Sequence, residues 1–123
     1  MLPVSNRQGG TLVGSSTNQA NANAVATLTP AADKFAHLGS IQARALGATA
    51  FLASSITVTG IEGGTLTIPF YYPAGVAVEA VPANIVFPVP LRGAGPGTPI
   101  VCTLGASGAG GTNAAIAAEG FQF

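Results

Sequence analysis

The chain has 123 residues and a mass of 12.0 kDa, its four Lys+Arg balance four Asp+Glu, and charged side chains make up 7% of it, against roughly 25% in ordinary soluble domains. That length accommodates one domain, and its scattered cations (Arg7, Lys34, Arg44, Arg92) form no basic stripe, which argues against nucleic acid as a partner. The single cysteine, Cys102, allows no intramolecular disulfide, and no window approaches a membrane-spanning apolar run, which argues against insertion in a membrane.

Residues 1–21 are rich in Gly, Ser, Asn, Gln and Thr and show no apolar periodicity beyond Leu12 and Val13. They read as a flexible N-terminal arm, ahead of a folded domain over residues 22–123. The opening Met-Leu-Pro-Val has neither a basic nor an apolar region of the kind a signal peptide needs. From there the texture becomes short β-branched and apolar runs punctuated by Gly and Pro, as expected of strands and turns. Ala24 to Thr29 (AVATLT) alternates and stops at Pro30, giving a first strand. Lys34 to Leu46 (KFAHLGSIQARAL) puts Leu38, Ser40 and Gln42 at one parity and His37, Ile41, Ala43 and Ala45 at the other. Its second half fits a half-buried strand. A helix is the rival reading, because Ala, Leu, Gln and Arg form helices well; Gly39 and Gly47 favour the strand.

Ala50 to Thr59 ends in a β-branched run that suits a pleated surface, and Gly63 and Gly64 make a turn. Thr65 to Phe70 (TLTIPF) alternates strictly, with Pro69 marking an edge strand or its end. Tyr71 to Gly75 reads as a loop, and Val76 to Val81 (VAVEAV) is a candidate short strand. Asn84 to Leu91 (NIVFPVPL) is apolar but holds two prolines, which marks an edge or a bulged segment. Thr98 to Leu104 is a strand with Ile100, Cys102 and Leu104 on one face, Gly105 to Gly111 a hairpin loop, and Ala114 to Phe123 the last strand. About seven or eight short strands without a convincing helix match an antiparallel β-sandwich or jelly roll.

Catalysis generally needs a base and a positioned partner, and the inventory is His37, Cys102, Asp33, Glu62, Glu79 and Glu119. Cys102 lies among apolar residues, where a small core side chain is expected. His37 has no second ligand at a metal-binding spacing, and the acids lack a calcium loop. The glycine run lacks the Lys-Ser/Thr ending of a phosphate loop. The reading is therefore of no catalytic residue, cofactor or metal. With zero net charge and an apolar content of 48% carried largely by 23 alanines, the chain is expected to associate. Small uncharged side chains pack against copies or partners without desolvating ions; a compact monomer with a Thr/Ser surface is the alternative. Candidate interface residues are Leu12, Val13, Tyr71, Tyr72 and Arg92. The aromatic cluster at Phe70 to Pro73 also suits a sugar platform, weighed against rings that simply fill the core.

The segments NIVFPVPLRG (Asn84 to Gly93), GTPIVCTLGASGAGG (Gly97 to Gly111) and the closing Gly120-Phe121 resemble the small Ala/Gly/Thr-rich β-sandwich virion proteins of tailed bacteriophages. In these a Phe-Pro-x-Pro-Leu-Arg-Gly segment precedes a Thr-rich strand and a glycine loop. The first half of the chain shares only the texture. The resemblance implies a non-enzymatic capsid-decorating (cement) protein, often trimeric, that binds the major capsid protein or other virion subunits. It would be assembled in the host cytoplasm onto the virion surface. A head-tail or tail accessory role, a fibre base, and a host-surface glycan-binding module are the alternatives.

Overall fold

A computed structural model describes residues 10–123, and over these it contains eight strands and no helix. They are β1 Thr11–Ser15, β2 Ala24–Leu28, β3 Ala36–Ala45, β4 Leu52–Ile61, β5 Gly64–Tyr72, β6 Ala83–Arg92, β7 Ile100–Leu104 and β8 Ala114–Gln122. The helix weighed for residues 34–46 is not formed. Alternation in the sequence becomes alternation of burial. Ala24, Ala26 and Leu28 of β2 are buried while Val25 and Thr27 face solvent, and β7 buries Ile100, Cys102 and Leu104 at the parity read from the sequence.

The pairing is nested and antiparallel. The first strand pairs with the last, β2 with β7, β3 with β6, and β4 with β5. Two further ladders, β3 with β8 and β4 with β7, join these pairs into the sheets β1-β8-β3-β6 and β2-β7-β4-β5. One long antiparallel hairpin rolled over itself in this way is a jelly roll. Only β4 and β5 are consecutive in the chain and adjacent in a sheet, through the tight turn at Glu62 and Gly63. Every other connection crosses between sheets. The Gly105 to Gly111 loop is therefore not a hairpin: it carries the chain from one sheet to the other.

The arm expected over residues 1–21 lies partly outside the described residues, at 1–9. Thr11–Ser15 forms an edge strand instead, held by the β8 ladder from Thr11 opposite Phe121 to Ser15 opposite Ala117. A short edge strand needs no apolar periodicity, because ladder hydrogen bonds and one inward side chain, Leu12, suffice to hold it. Residues 76–81 form no strand. Their backbone instead ties the loops together, with Gly47 N donating to Val78 O at 2.7 Å and Ala80 N to Ala45 O at 2.9 Å. Conversely β5 runs on through Tyr71 and Tyr72, which were expected in a loop.

β3 carries the most informative irregularity. Ala36 and Leu38 are buried, and so are Ile41, Ala43 and Ala45, although the two groups have opposite parity. A bulge between Leu38 and Ser40, at Gly39, interrupts the ladders to both β6 and β8. One extra residue resets which side chains point inward, so both halves of β3 face the core. Opposite it, β6 advances from Val86 to Leu91 while β3 advances from Ser40 back to Leu38. The surplus residues are Phe87 to Pro90, which places both prolines in the bulge of an edge strand.

The core fills the space between the sheets. Its larger side chains are Tyr72, Leu28, Leu38, Ile41, Ile56, Ile100 and Leu104, and nine of its members are alanine. Small residues let the sheets approach closely, which leaves little slack. At Gly14 an added Cβ would meet the Thr27 backbone of the opposite sheet.

Candidate functional site

The reactive groups are dispersed. Cys102 points into the core from β7 and is fully buried; burial pushes its thiol from 9.0 up to about 11, which makes it a poor nucleophile. His37 lies on β3 between the buried Ala36 and Leu38 and so faces outward, stacked on Phe121 with ring centroids 4.6 Å apart and 2° between planes. Its Nδ1 is 3.2 Å from the Phe35 carbonyl. Cys102 and His37 thus belong to different sheets, one facing the core and the other solvent. Among the described residues no group of three His, Cys, Asp or Glu could hold a metal ion.

The candidate interface residues occupy separate places. Leu12 turns in against the core, and its neighbour Val13 is 73% exposed on the β1 edge. Arg92 is on the opposite edge of the same sheet, its guanidinium 4.0 Å from the centre of the Phe35 ring and 3.8 Å from the Glu62 carboxylate. Both members of that ion pair are at least half exposed, so it is weak. Arg92→Ala is expected to cost less than about 1 kcal/mol in urea unfolding.

Tyr71 and Tyr72 follow the period of two within β5. Tyr71 is 57% exposed, whereas Tyr72 is completely buried and donates its hydroxyl hydrogen to the Gly105 carbonyl at 2.6 Å. Tyr72 is therefore a core residue and not an interface residue. Edge-on packing against Phe70, at 5.2 Å, completes its surroundings.

What the linear reading missed is a polarity between the two ends of the sandwich. The β2–β3, β4–β5 and β6–β7 connections meet at one end, joined by Gly97 N to Lys34 O at 2.9 Å and Ala94 N to Gly60 O at 2.9 Å. That end carries Asp33, Lys34, Glu62 and Arg92. The remaining loops meet at the other end, joined by Thr49 N to Ala109 O at 3.0 Å and Leu46 N to Asn113 O at 2.9 Å. Here Phe51, Leu52, Tyr71, Val76, Val78 and Val81 are all exposed. Phe51 and Tyr71 stack, with centroids 6.1 Å apart. A groove of about 250 Å³, lined by residues 49–52 and 107–109, opens beside them. The ionisable side chains nearest this end, Arg44 and Glu79, neutralise each other at 2.7 Å. The alternating valines of VAVEAV were the available signal. Expected as a short strand, they lie instead in a loop and stay at the surface.

The outer face of β1-β8-β3-β6 forms a second surface with shallow depressions, one lined by Val13, Ser40, Gln42 and Glu119 and another by Gly39, Val86 and Phe87.

No protein-family model matches the chain, and no curated protein matches it. A solved structure that is similar is the virus-like particle of the extra small virus of the giant freshwater prawn Macrobrachium rosenbergii, 14% identical, covering 99% of this chain and 82% of that one with a TM-score of 0.43. A superposition of that quality decides neither fold nor role; the jelly roll rests on the strand pairings.

Proposed function

We propose that the chain is a non-enzymatic structural protein of a virion and, more finely, a trimeric capsid-decorating (cement) protein that stabilises a phage head through contacts with the major capsid protein. Jelly rolls serve viral capsids, lectins and cupins alike, so the role has to come from the surface rather than the fold. The carrying observation is the surface chemistry. It offers small polar and aliphatic side chains, two exposed ion pairs among the described residues, and an apolar loop end. Such a surface packs against protein without desolvating ions. The segment that resembles phage virion proteins, Asn84 to Gly93, forms the bulged outer strand β6 and the turn after it, accessible to a neighbour.

The test is made on particles of the virus that encodes the chain. Particles assembled without it should form, lack a protein of this size on the shell, melt at lower temperature, and recover on addition of the purified chain. Particles that fail to form at all would make it a shell subunit and refute the cement role. Absence of the chain from complete particles would overturn the virion role itself. An arm that grips the shell predicts weaker binding on deletion of residues 1–9; a deletion to residue 20 would also remove β1.

The exposed stacked pair Phe51 and Tyr71 favours a second reading, a glycan-binding module. It requires saturable sugar binding that is lost in Tyr71→Ala.

A further inference from the structure

We infer that the apolar loop end, centred on Phe51, Tyr71 and Val81, is the contact between copies of this chain. The inference deepens the structural-subunit reading and rests on it. Three observations select a second copy as the occupant. First, Phe51 and Tyr71 are 61% and 57% exposed and stack on each other, and Leu52, Val76, Val78 and the 86% exposed Val81 stand on the loops of the same end; side chains of this size together expose on the order of 500 Å² of apolar surface. That is at the upper end for a monomer's largest patch. It suits the core of a standard interface, which buries about 800 Å² on each partner once a polar rim is added.

Second, the electrostatics permit self-contact. Asp33, Lys34, Glu62 and Arg92 lie at the far end, and Arg44 and Glu79 are already paired. Two copies meeting here bring no like charges together and bury no unpaired ion. The cationic flank that would draw the same side chains to an anionic membrane is missing among the described residues of this end.

Third, the surface has both relief and rigidity. A Cβ added to Gly110 would meet Thr49 and Val76, so Val76 stands beside the groove walled by residues 49–52 and 107–109. Projecting side chains next to a groove are what a head-to-tail contact requires, and such a contact closes into a ring when its rotation permits. The β3–β4, β5–β6 and β7–β8 loops are tied by backbone hydrogen bonds, including Gly75 N to Ala48 O at 2.6 Å and Thr49 N to Ala109 O at 3.0 Å. Little ordering entropy then opposes association.

The experiment is light scattering coupled to size exclusion on the whole chain over a hundredfold concentration range. The wild type is compared with Phe51→Ser, with Val81→Ser, and with a Val13→Ser/Val86→Ser control on the outer sheet face. Far-UV circular dichroism follows folding. The expected result is a multimer for the wild type and the control, and a folded monomer of 12.0 kDa for the loop-end variants, with apparent dissociation constants raised at least tenfold. Val81 is exposed enough that its replacement leaves the fold intact. A multimer unaffected by both loop-end substitutions but dissociated by the control overturns the inference and leaves the structural-subunit reading standing. A wild type that stays monomeric throughout also overturns it. Particle reconstitution then judges the virion role independently, and sugar binding lost in Tyr71→Ala would assign the surface to a glycan.

Discussion

Gly120→Ala should destabilise the protein by about 3 kcal/mol or more, a large share of the roughly 5–15 kcal/mol that holds a domain of this kind together. Gly120 is near the C-terminal end of β8, opposite Leu12 on one side and Leu38 on the other. A methyl group there would fall on the His37 carbonyl oxygen, well inside contact distance, and press on Leu28 Cδ1 at 3.2 Å. The obstacle is backbone, so no rotamer change relieves it; β3 must move away and strain its ladder to β8. Gly39, in the bulge itself, is the control. A Cβ there would be 3.5 Å from the Glu119 carbonyl, an ordinary contact, so Gly39→Ala should cost far less. Thermal unfolding followed by circular dichroism should place Gly120→Ala about 10 °C or more below the wild type. Coincident melts of the two variants would show that β3 yields and that the close approach is not a constraint.

Alkaline pH should weaken the fold through two buried groups, Cys102 and Tyr72. Burial raises Cys102 from 9.0 to about 11 and Tyr72 from 10.0 to about 12. In both cases the neutral, protonated form is the one the core accepts. The folded state therefore holds its proton at a pH where the unfolded chain has released it. Full stability persists below about pH 9; the Cys102 contribution is lost as pH rises from 9 to 11, and that of Tyr72 from 10 to 12. Within its window each group lowers stability by up to about 1.4 kcal/mol per pH unit. Urea midpoints measured at pH 8, 10 and 11 should fall steeply for the wild type and less for Cys102→Ala. Tyr72→Phe should begin about 1–3 kcal/mol lower at pH 8, because the Gly105 carbonyl loses its donor, and then decline less above pH 10. Equal slopes in all three proteins would assign the alkaline loss to other groups.

These predictions separate what was legible in the chain from what was not. Parity within β2 and β7 could be read directly, because each is short and regular and carries one unbroken period of two. The two prolines of Asn84 to Leu91 announced a bulged edge strand for a local reason: proline cannot donate to a ladder. β3 was read only in half. Its register reset at Gly39 leaves no mark in composition, and Leu38 and Ile41 appear to belong on opposite faces. The tyrosines failed for the opposite reason. Placed in a loop, both looked available; once β5 extends through them, the pleat exposes Tyr71 and buries Tyr72.

The scarcity of charge at the surface was legible; where the exposed apolar side chains gather was not. Scarce charge and abundant alanine by themselves predict a surface of small uncharged side chains that is prone to association. The all-β class likewise follows from short alternating runs broken by glycine and proline. Whether those strands made a sandwich or a jelly roll, where Thr11–Ser15 and the Gly105 to Gly111 loop belong, and which end of the molecule is apolar were decided only by the tertiary structure. The physical reason is the nested pairing. Six of the seven connections between successive strands cross between sheets. Residues far apart in the chain, such as Leu46 and Asn113 or Thr49 and Ala109, therefore come together through ladders whose partners no local pattern specifies.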